Sequence, residues 1–302
     1  MVRNKRLKLG FMALLAGMLV MTLAVPAALA DKEVKESGPA KANGIVMIEN
    51  ISGSIVVVGW DKDEINVEGT LTGDIEELKF KTGKKTRIEV VYPKNKKNVK
   101  GEANLVINVP RGSRLEVECI SAFIEVSKVT GLVDVSSISG DVTVTGECEG
   151  IEAESISGDV FIEGGAPEIE ISSISGKVKA RGTASDIEAD TVSGSIDLAF
   201  DRFLGLNVES VAGDAAIKGG LTGDAYFSFD LHSGHLTLTV PADVSADFEI
   251  ETFSGEIDNA FGQKSRKTSK YAPGRELEFT TGGGDARVRI NTFSGDVVIK
   301  KF

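Results

Sequence analysis

Apolar and polar residues alternate along the chain after residue 114 in a pattern that returns about every 18 residues. Apolar side chains separated by a single polar residue indicate a strand with one buried face. No helical periodicity is present in residues 31–302. The two apolar columns that precede each turn are Leu115, Val133, Ile151, Ile169, Ile187, Leu206, Phe227, Phe248 and Val288, then Val117, Val135, Ala153, Ile171, Ala189, Val208, Phe229, Ile250 and Ile290.

A tetrapeptide of the form Ile-Ser-Gly-Asp follows each pair of columns and predicts a corner, because glycine tolerates backbone angles that other residues avoid. One such rung cannot bury its apolar face alone, whereas stacked rungs form a continuous core. The chain is therefore predicted to be an all-β, single-domain parallel β-solenoid (β-helix), with rungs of about 18–21 residues and two or more short strands per rung. The predicted structural corner glycines are Gly53, Gly140, Gly158, Gly176, Gly194, Gly213, Gly234, Gly255 and Gly295.

The serines at these corners are predicted to be structural. A small or hydroxylated residue stands two positions before each corner serine, as at Ser137, Ser155 and Ser173, and its hydroxyl is expected to bond to the equivalent hydroxyl on the next rung. The chain has only two histidines, His232 and His235, and lacks the clustered carboxylates that polysaccharide-cleaving enzymes use. We expect no enzymatic activity, catalytic residue, cofactor or resident metal.

The ends of the chain depart from the repeat. Residues 1–30 combine a basic start, an apolar run and an Ala-Leu-Ala end, which is typical of a secretory signal peptide; an uncleaved membrane anchor is the alternative. Residues 31–43 are expected to be a flexible leader. Residues 44–302 are the predicted solenoid, with wider rungs or a cap in 44–114, regular rungs in 115–258 and looped rungs in 259–302.

The corner repeats resemble those of a family of bacterial β-helix proteins known as "putative adhesins", whose function is unknown. The resemblance begins at Val46 to Ile55, which reads VMIENISGSI, and extends over about residues 44–302. It implies an exported β-helix and supplies no functional residues.

Charge is distributed unevenly along the chain. Residues 79–114 contain eleven basic residues and two acidic ones, whereas residues 115–260 contain six basic and 28 acidic residues. Removal of residues 1–30 moves the net charge from −11 to −15, which argues against nucleic-acid partners. Five acidic residues recur at one rung position and form a candidate interaction surface, the acidic ladder: Glu116, Asp134, Glu152, Glu170 and Glu188. The ladder is either a solvated face or a site for divalent cations or a basic partner.

Two main functional hypotheses follow; a third, a polysaccharide-active β-helix enzyme, is disfavoured because the sequence shows no catalytic constellation. The first is a non-enzymatic, adhesin-like envelope or cell-surface protein that uses the solenoid as a binding or scaffolding surface, with envelope polysaccharide, a protein or a divalent cation as partner. The second is a periplasmic structural or envelope-stress protein without an extended ligand. Both place the protein outside the cytoplasm, with no membrane span after signal cleavage. Cys119 and Cys148 could pair there, although the repeat places them at different points of the rung.

Overall fold

The computed structural model describes residues 31–94, 96, 100–270 and 273–302, which belong to one unit, Asp31–Phe302. The predicted signal peptide lies outside the described residues. The described residues form a single sheet of 21 strands, which confirms the all-β prediction. The strands are β1 (Lys32–Pro39), β2 (Ile45–Trp60), β3 (Glu64–Leu71), β4 (Glu77–Lys81), β5 (Lys85–Val91), β6 (Ala103–Pro110), β7 (Arg114–Ser127), β8 (Leu132–Ser137), β9 (Val142–Glu147), β10 (Gly150–Ser155), β11 (Val160–Ser173), β12 (Val178–Thr191), β13 (Ile196–Ala212), β14 (Ala215–Ser233), β15 (Leu236–Val240), β16 (Ala246–Ser254), β17 (Ile257–Asn259), β18 (Arg266–Lys267), β19 (Arg275–Thr281), β20 (Ala286–Ser294) and β21 (Val297–Lys301).

The central rungs pair in parallel, each with the rung that follows it in sequence. Val133 lies opposite Ile151, which lies opposite Ile169, and the series continues through Ile187 to Leu206. All five side chains are buried. A return turn was expected to divide each rung into two strands, and it does so on some rungs only: β7 and β8 are separated near Gly131, and β9 and β10 near Gly150. Strands such as β11 run through the expected return turn at Gly164 and Gly165 without a break, and the regular interruption falls at the Ser-Gly corner.

The buried hydroxyls at the corners bond to backbone groups, not to one another as predicted. The Gly158 N–H donates to Ser155 Oγ at 2.9 Å, and this hydroxyl donates to the carbonyl of Gly140 on the preceding rung at 3.1 Å. The same pair of bonds recurs at Ser173, at 2.9 and 3.0 Å. A short hydroxyl side chain therefore pairs two buried backbone groups at once and joins successive rungs.

The glycines are required mainly because successive rungs approach closely at the corner. A Cβ atom added to Gly176 would lie 1.9 Å from the carbonyl oxygen of Gly158, and one added to Gly194 would lie 1.8 Å from that of Gly176. Among the predicted corner glycines, only Gly53, Gly234 and Gly295 have a positive φ. The expected reason, an unusual backbone angle, was therefore wrong for the other six.

The acidic residue after the corner glycine completes the motif. The Asp141 carboxylate accepts a hydrogen bond from the Asp159 N–H on the next rung at 2.9 Å, and Asp159 accepts one from the Lys177 N–H at 2.7 Å. Each carboxylate thus accepts a hydrogen bond from a backbone N–H that has no partner in the sheet and would otherwise bond to water.

At the C-terminal end, the order of rungs in space differs from their order in the chain. β20 pairs with β14 on one side and with β16 on the other, and β21 lies between β15 and β17. The last rung of the chain is therefore inserted between two earlier ones. β19 then pairs antiparallel with β16 and covers that rung.

At the N-terminal end too, the order of the strands in space differs from their order in the chain. β2 lies between β7 on one side and β5 and β6 on the other, all in parallel register. Antiparallel strands β4 and β3 pair with β5 and β6, and β1 pairs with β3. Residues 31–43 therefore contain an ordered edge strand, β1, and the flexible leader was a wrong prediction. Antiparallel strands at both ends protect parallel strands that would otherwise be open to pairing.

Both cysteines are buried and unpaired. Burial raises the pKa of the Cys119 thiol to about 12 and that of Cys148 to about 11, so both thiols are protonated at neutral pH. Within the described residues, no helix has the length and hydrophobicity needed to cross a membrane.

Candidate functional site

The first residue of each corner tetrapeptide points outward and is apolar on almost every rung. Nine of these side chains are between 40% and 54% exposed. We call this column the apolar ridge. In spatial order it consists of Ile51, Ile120, Ile138, Ile156, Ile174, Val192, Val211, His232, Phe293 and Phe253.

The C-terminal end of the apolar ridge is a stack of flat rings. The rings of His232 and Phe293 are parallel to within 1°, with centroids 5.0 Å apart, and Phe253 stacks on the other side of Phe293 at 4.9 Å. The insertion of β20 between β14 and β16 produces this order, because it places Phe293 between two rings that are adjacent in sequence order. Both faces of Phe293 are covered, and its edge meets solvent.

A groove of about 830 Å³ runs beside this end of the apolar ridge, from Ile174 to Phe253. Thr268 and Gly274, from the loop between β17 and β19, contribute to its wall. Four acidic residues that line it, the groove carboxylates, lie two positions before ridge residues on the same outward face: Asp190, Glu209, Asp230 and Glu251.

The groove carboxylates stand close together along the stack. Asp190 lies opposite Glu209, which lies opposite Asp230, while Asn291 separates Asp230 from Glu251 and donates a hydrogen bond to Asp230 at 2.9 Å. In the described part of the chain, none of the four forms an ion pair with a basic side chain. The groove therefore combines an apolar edge with uncompensated negative charge.

Asp190 is the most perturbed member of this group. Burial first, and then the nearby charges of Glu188, Glu209 and Glu170, together raise the pKa of Asp190 to about 6, against the opposing effect of a hydrogen bond from the Glu209 N–H. Its Oδ1 atom is buried and accepts no hydrogen bond from the described residues. Because desolvation and like charges both oppose ionisation, the carboxylate is held in an unfavourable charged state at neutral pH.

The predicted acidic ladder lies on the same face, one further column away. Glu116 lies opposite Asp134, and the register continues through Glu152 and Glu170 to Glu188. Burial, followed by repulsion from ladder neighbours, raises the pKa values of Asp134, Glu152 and Glu170. The structure thus brings the five residues into one row, and their role in binding stays a prediction.

Three exposed carboxylates, those of Glu152, Glu154 and Glu170, have oxygen atoms within 4.8 Å of one another. Oxygen ligands of this kind suit divalent cations, so the cation hypothesis for the ladder stays open to test. The two histidines do not form such a cluster. His232 stacks on Phe293, and His235 lies 3.5 Å from the Asp296 carboxylate.

Most of the described basic residues of 79–114 lie on and around β4, β5 and β6, on the far side of β2 from the regular rungs, whereas Arg114 begins β7. Several of those described are compensated locally, since Arg87 pairs with Glu49 and Lys96 lies 2.6 Å from Asp74. The groove carboxylates lie at the opposite end of the stack. The basic and acidic segments of the sequence are therefore also apart in the structure.

The apolar ridge was not predicted from the sequence. The alternation of inward and outward positions along each strand could have revealed it. Val133, Val135 and Ser137 point inward, so Ile138 is expected to point outward. An apolar residue at an outward position on one rung carries little information, but its recurrence on nearly every rung does. The groove could not be predicted from the sequence. Phe293 lines it only because β20 is inserted between β14 and β16, and Thr268 and Gly274 come from a loop outside the repeat.

Comparison with known proteins places this arrangement in a family. Residues 46–300 match the model of the family described as Toastrack DUF4097. A solved structure from Parabacteroides distasonis, named a "putative adhesin", has a TM-score of 0.53 at 12% identity and covers 88% of this chain and 97% of its own. Another of that name, from Parabacteroides merdae, has a TM-score of 0.50 at 11% identity and covers 89% and 96%.

These likenesses support the resemblance drawn from the corner repeats and show a shared fold. No curated protein gives a significant match. Because the family model spans most of the chain, the protein belongs to the Toastrack DUF4097 family.

Proposed function

We propose that this chain is a non-enzymatic protein of the cell envelope or cell surface, adhesin-like in role, which presents one flank of a parallel β-solenoid as a binding surface. The apolar ridge is the observation that carries the proposal. A contiguous exposed apolar patch on a folded protein marks an interaction site, because leaving it in water forgoes the free energy of burial.

The chemistry of the corners supports a binding role over a catalytic one. The buried corner hydroxyls are bonded to backbone groups, and the corner carboxylates pair backbone donors of the next rung. These groups maintain the stack and are not free to act as a nucleophile or base. The export signal expected in residues 1–30 supports the envelope location.

The experiment measures sedimentation of labelled protein, residues 31–302, with isolated cell envelopes. The test variant is Ile156→Ser, on the apolar ridge, and the control is Val106→Ser, which removes a side chain of similar exposure, 45%, away from the ridge. We expect Ile156→Ser to lower the bound fraction severalfold and Val106→Ser to leave it unchanged.

Equal binding by the two variants and the unsubstituted protein contradicts the proposal, as does the absence of any binding. Competition with purified envelope polysaccharide then distinguishes a glycan partner from a protein partner. Melting temperatures measured on the same samples ensure that the variants are folded.

A further inference from the structure

We propose that the groove beside the C-terminal end of the apolar ridge binds a basic amphipathic α-helix of a partner protein. This proposal rests on the proposed function, because it assigns a partner chemistry to one section of the same binding surface. The first support is the pairing of an apolar edge with four carboxylates. A helix with one apolar stripe and flanking lysine or arginine residues matches both features.

The length of the groove suits a helix of ordinary size. The six ridge residues from Ile174 to Phe253 lie on successive rungs, so they span five steps of about 4.8 Å, or roughly 24 Å. At about 1.5 Å per residue, a helix of about 16 residues covers this distance. Apolar side chains on one face of a helix recur about every 5.4 Å, close to the rung spacing.

The charges of the groove select a cationic occupant. Asp190, Glu209 and Asp230 are aligned on successive rungs and lack basic partners among the described residues. A second copy placed face to face on the same groove would bring like charges together, and an anionic lipid surface would be repelled in the same way. Basic side chains of a partner would instead neutralise these carboxylates, including that of Asp190, whose charged form burial and neighbouring charges disfavour.

The Phe293 ring favours contact with aliphatic side chains over stacking of a sugar ring. Both faces of Phe293 are occupied by His232 and Phe253, so the ring presents its edge to the groove. Sugar rings bind aromatic side chains through an open face, which Phe293 does not offer. Leucine-like side chains of a helix need only an apolar edge of suitable length.

The test measures binding of a 16-residue leucine–lysine peptide, designed as an amphipathic helix, to the protein comprising residues 31–302 by isothermal titration calorimetry. Two further peptides serve as controls: one of the same composition with a scrambled order, and one with glutamate in place of lysine. We expect measurable binding of the first peptide only, weakening as salt is added.

Matched protein variants locate the site. Val192→Ser lies in the groove and Ile120→Ser lies on the same ridge outside it, with equal exposure of 43%. We expect the first to weaken binding about tenfold and the second to leave it unchanged. Likewise, Glu209→Gln is expected to weaken binding, whereas Glu118→Gln, in the same column outside the groove, is not.

The outcomes separate this proposal from the one on which it rests. Binding of the glutamate or scrambled peptide as tight as that of the leucine–lysine peptide overturns the helix proposal, as does equal weakening by groove and control variants. A dimer that Val192→Ser dissociates makes a second copy the occupant and also overturns it. If no peptide binds but Ile156→Ser still reduces envelope binding, the helix proposal fails and the binding surface stands; if envelope binding is also insensitive, both fail.

Discussion

Replacement of Gly176 by alanine tests the account of the corner in isolation. The backbone of Gly176 does not have a positive φ, so the added methyl group brings no conformational strain of its own. Its Cβ would lie 1.9 Å from the Gly158 carbonyl oxygen and 2.5 Å from the Gly158 carbonyl carbon. Both atoms belong to backbone and cannot move aside alone, so the two rungs must separate.

The cost follows from the required displacement. A carbon atom approaches a carbonyl oxygen to about 3.3 Å, so the rungs must part locally by about 1.4 Å. The adjacent bond from the Ser175 N–H to the Ile156 carbonyl, now 3.0 Å, would stretch to about 4.4 Å and be lost. Loss of one or two such buried bonds, together with the displaced packing, gives a destabilisation of about 3–5 kcal/mol.

Urea denaturation followed by circular dichroism measures this effect. Gly223→Ala is the matched control, because Gly223 also lacks a positive φ and a Cβ there meets nothing within 4 Å. We expect the denaturation midpoint to fall by about 1–2 M for Gly176→Ala. Gly223→Ala should leave the denaturation midpoint within a few tenths of 1 M of that of the unsubstituted protein, or raise it slightly because the unfolded chain loses conformational entropy. Equal midpoints for the two variants would refute the close-approach argument.

Three further predictions concern the corner hydroxyls, the groove and the acidic ladder. Ser173→Ala leaves two buried backbone groups unpaired and should lower the free energy of unfolding by about 2–3 kcal/mol, whereas Ser175→Ala, at an exposed corner serine, should have little effect in the same urea assay. The folded-state pKa of Asp190, about 6, exceeds its ordinary value of 3.8, so the folded protein binds more protons between these values and loses stability as pH rises from about 4 to 6. After allowance for solvent screening, Asp190→Asn should add about 1 kcal/mol at pH 7 and flatten this dependence in melts across pH; an unchanged slope would contradict the assignment. The cation hypothesis for the ladder predicts a higher melting temperature in calcium or magnesium than in chelator, and equal values would reject it.

The core and its register were predictable because each rung repeats the same inward columns. Stacking 18-residue repeats in parallel is the arrangement that brings Val133, Ile151 and Ile169 together, and the strand pairing agrees. The physical role of the corner residues was less accessible. The sequence shows that glycine recurs, but only coordinates show that a carbonyl oxygen of the preceding rung occupies the position of its Cβ.

The insertion of terminal rungs could not be read from the repeat. β20 carries the same apolar columns and the same corner as β16, so either could follow β14 in space with an equally buried face. In the observed order β16 is the outer parallel strand and pairs with antiparallel β19, an element that the repeat does not contain. For the same reason, the ring stack of His232, Phe293 and Phe253 could not be predicted from the sequence. It forms only because β20 lies between β14 and β16.

The most direct test of the apolar ridge as the binding surface is the rate at which a thiol placed on it reacts with a maleimide. The native Cys119 and Cys148 are buried with raised pKa values, so they give a low background. Val192→Cys on the ridge and Leu132→Cys away from it have similar exposure, 43% and 39%. If the apolar ridge is the binding surface, isolated envelopes slow the labelling of Val192→Cys severalfold and leave that of Leu132→Cys unaffected. Equal labelling of both variants, with and without envelopes, would contradict it.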